Sequence, residues 1–356
     1  MNNRYYYLLL LFVSLAAPFV LPDYRTQLAL LWVMVIFALT WDVMGGQMGY
    51  NSFGNILFFG VGMYACAVIQ RDSGLSYFPA LLLGIAAGGV IALLLALLIG
   101  NGLLGLRGHY FAIGTLGLGV AAGEIAGGWD YIGAGSGMTP PLFPTELTVR
   151  DTFFYYLFFI WALLTFFSLH WLYQGRFGLA LNAIRDNEDK AEAMGLHTTR
   201  YKVAAWSVAA LFLGVTGGAM GNLIGFIDPK EVAFAGSTYG VWMILMAIAG
   251  GKGTLWGPVI GAVVFHITQE IFWTLLLGWQ RVALGALIIV IVLFFPQGIM
   301  GWVRQQFPRR IDSDQLTSDQ LTSDQITSEQ IASKQRIPDN PRQTHHQRKN
   351  KQSHPL

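Results

Sequence analysis

Charge is what this sequence has least of. Only 12% of its residues are Asp, Glu, Lys or Arg, against roughly 25% in an ordinary soluble domain. Apolar residues make up 54% and the mean hydropathy is +0.49. That balance excludes a soluble globular chain and implies a multi-span membrane protein. The net charge of +2 is too small to argue for nucleic acid. Cysteine is nearly absent: Cys66 stands alone inside an apolar run, so no intrachain disulfide forms and no cysteine-based metal site exists. Neither H-E-x-x-H nor G-x-S-x-G occurs. Gly250-Gly251-Lys252-Gly253-Thr254 has only a superficial likeness to a phosphate loop. It lacks the first glycine at the required spacing, and Gly253 separates Lys252 from Thr254. The ionisable residues within apolar runs (Asp42, Glu124, His170, His266, Glu270) are scattered and mostly near run ends, which does not make a proton or ion relay. His345 and His346 read as a solvated pair rather than a metal site.

What is present in abundance is apolar length. A helix needs about 20 apolar residues to cross the hydrocarbon. Candidate spans fall at 6–22, 27–45, 52–70, 79–100, 110–128, 153–173, 202–224, 238–250, 256–272 and 281–297. The expected fold is therefore all-α and polytopic, with about ten transmembrane or re-entrant helices. The 42 glycines recur within these runs and suit helices packed through small residues. Two runs are unusual. The 238–250 run is short enough to be tilted, broken or re-entrant. The 52–70 run opens with Asn51, Ser52 and Asn55 and reads as a broken helix lining a cavity. On this account Asn51 and Ser52, with Glu124 one turn from the outer end of its span, are the candidate pathway residues. His266 and Glu270 lie four apart on one helix face and are expected to pair with each other or with Arg281.

Basic residues orient the map. With ten spans, Arg4, Arg107, the basic residues of 174–202, Lys252, Arg304, Arg309 and Arg310 share one side, which places both termini in the cytoplasm. Arg71 and Lys230 fall on the other side, each beside an acid. Arg4 before an apolar core also has the form of a signal peptide, but removing that run would reverse the parity. The loop 129–152, with its Gly, Ser and Pro cluster at 133–144, is the longest outer loop. It is a pathway mouth, a docking surface or a plain connector. From Ile311 the composition changes abruptly. DQLTS, DQLTS, DQITS and EQIAS repeat every five residues over 314–333, a period matching neither helix nor strand. Residues 1–303 are thus read as the membrane domain and 304–356 as a disordered low-complexity cytoplasmic tail.

Between Gln174 and Lys202 lies an island of charge: Arg176, Arg185, Lys190, Arg200 and Lys202 interleaved with Asp186, Glu188, Asp189 and Glu192. A helix-prone, charged segment between two spans lies in water, and its basic excess puts it in the cytoplasm. It is either a solvated loop helix or a surface for a soluble partner.

Four segments together resemble the LivM-like permeases of bacterial ABC importers, a family that serves branched-chain amino acids and related amides. They are LGLRGHYFAIGTLGLG (104–119), FGLALNAIRDNEDKAEAMGLHTTRYK (177–202), GFIDP (225–229) with AGGKGTLWGPVIGA (249–262), and more loosely MGYNSFGNILFFGVGMYA (48–65). They occur in the family's order across roughly residues 40 to 300. The resemblance implies a bacterial inner-membrane permease subunit with no cofactor of its own. Its partners would be a second permease chain (a paralogue in most of the family), two cytoplasmic ATPases that use the ATP, and a periplasmic or extracellular substrate-binding protein. Segment 175–200 would be the ATPase-coupling segment, with Arg185, Asp186, Asn187, Glu188, Ala191, Ala193 and Gly195 in it. The small alanines permit close approach, and Gly195 is suited to ending the helix. The general importer motif has Glu-Ala-Ala with Gly three residues on. Aligning Gly195 puts Asp189-Lys190-Ala191 there instead, a departure that leaves the docking residues open. The expected function is ATP-driven import of branched-chain or other neutral amino acids. The alternatives are a urea or short-amide permease, an autonomous channel or secondary transporter, or a membrane enzyme, for which no catalytic constellation is visible.

Overall fold

The computed structural model describes residues 3–275, 279, 282–283, 285–286, 289 and 298–306. Most of the expected 281–297 span and nearly all of the 304–356 tail lie outside the described residues. Met1–Val303 form one compact unit; of Arg304–Leu356, assigned to a second, only 304–306 are described.

Among the described residues the architecture is helical, with one isolated antiparallel bridge between Met138 and Ile227 and no named strand. The helices are α1 (Asn3–Val20), α2 (Arg25–Asp42), α3 (Asn55–Asp72), α4 (Tyr77–Leu103), α5 (His109–Gly128), α6 (Leu147–Gln174), α7 (Arg176–Ala193), α8 (Thr198–Ile224), α9 (Val241–Gly250), α10 (Trp256–Leu275) and α11 (Gly298–Gln306). Among the described residues seven helical stretches are long and apolar enough to cross a membrane: Pro22–Gln47, Tyr77–Leu103, His109–Gly128, Leu147–Gln174, Thr198–Ile224, Pro229–Gly250 and Trp256–Leu275. The chain is therefore an all-α polytopic membrane protein. The short 238–250 run becomes α9 preceded by two wide helical turns, Pro229–Ala233 and Gly236–Gly240.

The α3, α4 and α8 helices form the tightest seam. Lipid is as apolar as a leucine side chain, so helices gain contact by letting backbones approach. A β-carbon at Gly88 would lie 2.9 Å from the Gly62 carbonyl oxygen and 3.0 Å from its α-carbon, and one at Gly62 would strike the backbone of Gly214. The same seam holds a reciprocal amide pair. Gln70 Nε2 donates to Asn222 Oδ1 at 3.0 Å, Asn222 Nδ2 donates to Gln70 Oε1 at 2.9 Å, and the Tyr77 hydroxyl donates to Asn222 Oδ1 at 2.9 Å. Around α2 pack α6, α9 and α10, with Trp161 Nε1 of α6 donating to the Phe212 carbonyl of α8 at 3.2 Å. The outward faces of α4 and α5 carry Leu82, Leu98, Ile113 and Val120, all exposed, as a lipid-facing surface requires.

The polar contacts sort the two ends of the bundle. At one end Arg71 donates to the Tyr131 carbonyl at 2.8 Å and Tyr131 donates to Asp72 at 2.6 Å, while Thr26 donates to Asp151 at 3.0 Å. The loop after α5 is built there from short helical turns and tied to the segment after α8 by the Met138–Ile227 bridge. At the opposite end lie α7, the α2–α3 connection, the α4–α5 turn and the α9–α10 turn. Arg107, Lys202 and the charged residues of α7 gather there.

Two sequence expectations need correction. The 52–70 run is not a broken helix: α3 is continuous, and the irregular backbone lies before it, at 48–54. His266 does not pair with Glu270. Its Nε2 sits 2.8 Å from the Gln27 carbonyl, because α10 packs on α2 and offers a backbone acceptor nearer than the next turn of its own helix. Arg281 is outside the described residues.

Candidate functional site

The charged island folds as two helices rather than one. Residues 176–186 and 188–193 are helical, and between them Asn187 is extended, with φ −166° and ψ 106°. The first half is anchored by Gly178, Ala180, Leu181 and Ile184, which are buried. The second half starts at a cap: Asn187 Oδ1 accepts from the Lys190 amide at 2.9 Å, satisfying one of the orphan donors of a helix start. Glu188 and Asp189 follow in the first turn, where the helix dipole favours acids. The end is a Schellman motif. Gly195 takes φ +90°, its amide donates to the Glu192 carbonyl at 2.9 Å, and the Leu196 amide donates to the Ala191 carbonyl at 3.0 Å. Thr198 Oγ1, at the start of α8, donates to Glu192 Oε1 at 2.5 Å. So a six-residue helix, too short to persist alone, is capped at both ends and tied to its neighbour.

Lys202 is the centre of the arrangement. It is only 2% exposed, although it stands in the second turn of α8. An ammonium has three protons to place, and three acceptors surround it. Lys202 Nζ lies 2.7 Å from Glu188 Oε1, 2.7 Å from the Leu104 carbonyl and 3.2 Å from the Tyr50 hydroxyl oxygen. The Tyr50 hydroxyl in turn donates to Glu188 Oε2. Arg107, in the α4–α5 turn, spans the outside of this group. It reaches Asp189 at 2.6 Å, with Glu188 at 3.5 Å and Glu192 at 3.8 Å. Burial works against the Glu188 carboxylate, but the hydrogen bonds from Lys202 and Tyr50 and the charges of Lys202 and Arg107 outweigh it. Its pKa therefore sits below the ordinary glutamate value.

Tyr50 belongs to the irregular segment 48–54, which carries the arrangement into the bundle. Its ring meets Phe111 edge-on at 5.2 Å, and Phe58 meets Trp206 at 5.0 Å. Ser52 Oγ donates to Asn55 Oδ1 at 2.8 Å, the same oxygen that accepts from Trp206 Nε1 at 3.2 Å, and Trp41 Nε1 donates to the Ser52 carbonyl at 2.8 Å. Gly49 takes φ +80° against Arg185, where a side chain would meet the Arg185 Cγ. Arg185 Nη1 approaches the Gly46 carbonyl at 3.5 Å. Close by, Gly253 of the glycine-rich 250–254 loop donates its amide to the buried Asp42 carboxylate at 2.7 Å, and Thr254 Oγ1 donates to the Gly251 carbonyl at 2.9 Å. These groups are spent on the loop's own seat and do not form an open phosphate cradle.

The structure thus brings Arg185, Asp186, Asn187, Glu188, Ala191, Ala193 and Gly195 into one elbow at the charged end, with Ala191 buried and Ala193 exposed. It does not bring the three pathway candidates together. Asn51 is exposed, Ser52 is fully buried and bonded to Asn55, and Glu124 lies toward the other end, 63% exposed at its side chain and 2.8 Å from Lys230. Tyr50, Arg107 and the burial of Lys202 escaped the sequence reading of the site. The one available signal was a lysine in the second turn of a long apolar helix. Among the described residues, no group of three His, Cys, Asp or Glu side chains is placed to hold a metal.

A bundle of long apolar helices with a capped, charged elbow at one end is the build of a multi-pass membrane protein. The chain belongs to the family described as branched-chain amino acid transport system / permease component, whose profile matches residues 26–292. It is 24% identical over 333 residues to the high-affinity branched-chain amino acid transport system permease protein LivM of Salmonella typhimurium, covering 86% of this chain and 76% of that protein. LivM of Escherichia coli matches at the same identity and coverage. The LivH permease of Escherichia coli is 28% identical over 127 residues, 35% of this chain and 40% of LivH. No solved structure matches significantly. The chain is accordingly a multi-pass permease of the inner membrane.

Proposed function

We propose that the chain is one of two permease subunits of an ATP-driven importer, and forms the translocation pathway for branched-chain or other neutral amino acids. An external binding protein delivers the substrate. Two cytoplasmic ATPases supply the work, and the second permease is a paralogue. The observation that carries this reading is the elbow at 175–200. It is capped at both ends and bonded to the α2–α3 connection, the α4–α5 turn and the first turns of α8, and it still presents an exposed outer surface. Met194 is 89% exposed there, beside Ala193 and Gly195, with Asp189 and Lys190 also exposed. An exposed methionine amid small residues and charges suits an apolar pocket rimmed by polar groups on a soluble protein. The chain itself carries no ATP-binding motif and uses no cofactor.

In this reading the elbow end faces the cytoplasm, as its arginines and lysines favour, and both termini lie there. ATP closes the ATPases on each other, the elbows move, and the pathway opens outward. Hydrolysis then resets it. The Glu124–Lys230 pair belongs to the outer mouth, and Asn51 to the inner. The test is uptake of labelled leucine, alanine, proline and urea in a deletion strain and its complemented parent, with and without ATP depletion. The expected result is loss of amino-acid uptake in the deletion and on depletion. Loss of urea uptake alone would move the chain to an amide substrate, and flux that survives depletion would refute the ATP-driven reading.

A further inference from the structure

From this geometry we infer that Lys202, Glu188 and Tyr50 form a latch that makes the second half of α7 and the 48–54 segment move as one body. Lys202 and Tyr50 are thus positioning residues for coupling rather than contacts for the ATPase. The inference rests on the importer reading above and adds to it a route for the motion.

Three observations carry it. First, the second half of α7 has no apolar anchor comparable to the first: Ala191 is its only buried residue. What holds it is polar: Glu188 to Lys202 at 2.7 Å, Asp189 to Arg107 at 2.6 Å, and the Thr198 hydroxyl to Glu192 at 2.5 Å. Second, the Glu188–Lys202 contact is sheltered, with the two side chains 11% and 3% exposed. A sheltered pair is screened little by salt and is strongly directional, unlike the open Arg107 contacts. Breaking it from one side leaves a buried charge without a partner. Third, the same carboxylate also receives the Tyr50 hydroxyl, and Tyr50 is a buried side chain of the segment leading to Ser52, Asn55, Trp41 and Trp206. The extended residue Asn187 lies directly before Glu188. Rotation at that point swings the second half of α7 while the first stays seated, and the latch passes the swing to 48–54 and to the base of α8.

The test uses the complete importer, all subunits co-expressed, purified and reconstituted in proteoliposomes. ATP hydrolysis and amino-acid uptake are read on the same preparation. Lys202→Met retains the apolar length of the side chain and removes the ammonium. The expected result is normal co-purification of the ATPases and hydrolysis, with uptake per ATP reduced about tenfold, within the range usual for coupling between two sites. Tyr50→Phe, which keeps the ring and its packing on Phe111, is expected to lower the same ratio about threefold, a step just below that range. The exchange Glu188→Lys with Lys202→Glu is expected to recover part of the ratio lost in Lys202→Met. An unchanged ratio in both Lys202→Met and Tyr50→Phe would overturn the latch. Should Lys202→Met fail to assemble, Tyr50→Phe decides alone. Failure of the importer reading shows up differently: the wild-type preparation itself would lack a bound ATPase or take up solute without ATP.

Discussion

Asn187 gives the most direct quantitative test of the elbow. Its side chain is the sole side-chain cap on the 188–193 helix, through the 2.9 Å bond to the Lys190 amide. Its backbone is extended, a conformation alanine also adopts without strain, so Asn187→Ala removes the cap and little else. Losing such a cap costs about 1 kcal/mol, with a range of roughly 0.5–2. At room temperature that is about a fivefold shift toward the frayed state. A change of that size need not abolish uptake, because the Schellman end and the Arg107 and Lys202 contacts still hold the helix. It should register in hydrogen exchange, which reads local opening free energy directly. The amides of Ala191 to Leu196 are expected to lose about fivefold in protection in Asn187→Ala, while those of the seated half, Gly178 to Ile184, stay unchanged. Asn187→Asp keeps an acceptor in place and adds a charge the helix start favours, so protection should return to the wild-type level or above. Unchanged protection in Asn187→Ala, or an equal loss in Asn187→Asp, would refute the assignment of Asn187 as a cap.

Other measurements bear on the same account. Gly88→Ala should lower the melting temperature of the detergent-purified chain, because the new methyl meets the Gly62 backbone and overpacking costs about 1–3 kcal/mol. Gly102→Ala on the same helix, where nothing lies within 4 Å, should be neutral or slightly stabilising; equal melting points for the two would argue against the seam. The Glu188 contribution to stability has a definite pH sense. Its folded pKa lies below the ordinary 4.5, so its stabilisation is full above that value and is lost as pH falls through the lowered folded one. The gap in melting temperature between wild type and Glu188→Gln should therefore be steady from neutral pH down to the ordinary carboxylate value and close below it. A gap that widens on acidification would reverse the sign and the argument. Met194→Asp should leave the chain inserted and folded but reduce co-purification of ATPase about tenfold or more, as expected for a central apolar anchor; unaltered recovery would place the contact elsewhere.

The helices themselves were legible because burial in lipid needs only length and apolarity. The runs at 79–100, 110–128, 153–173, 202–224 and 256–272 all fall within α4, α5, α6, α8 and α10. The charge asymmetry likewise separated the ends: Arg107, the elbow and Lys252 on one, Arg71 and Lys230 on the other. What could not be read were relations across the chain. The 48–54 segment looks like a helix start because its polar residues precede an apolar run. It is held irregular by Trp41 on one side and by Thr115 Oγ1, which accepts the Phe53 amide at 3.1 Å, on the other. Thr115 lies 62 positions away. The burial of Lys202 depends on acceptors 14, 98 and 152 positions away. Asn187 was nearer to reach, since an asparagine followed by Glu188 and Asp189 has the form of a helix start, but the apolar spacing through Leu181, Ile184 and Ala191 runs on across the break and conceals it.

The two kinds of contact that hold this molecule predict two separable kinds of failure. In the bundle, α3, α4 and α8 touch backbone to backbone through Gly62, Gly88 and Gly214, so no side chain is available to yield, and closely packed interiors transmit displacement instead of absorbing it. At the charged end the contacts are directional and few, and α8 begins among them with Lys202. On the proposed reading, a displacement of the elbow enters α8 at its base and reaches α3 and α4 without loss. A substitution in the glycine seam should then reduce the amount of folded protein while the molecules that do fold remain fully coupled. A substitution at Lys202 or Tyr50 should do the opposite, leaving the amount nearly unchanged and the uptake per ATP reduced. If instead Gly88→Ala lowered uptake per ATP at normal protein level, the seam itself would be the moving part, and the polar end would be reduced to an anchor.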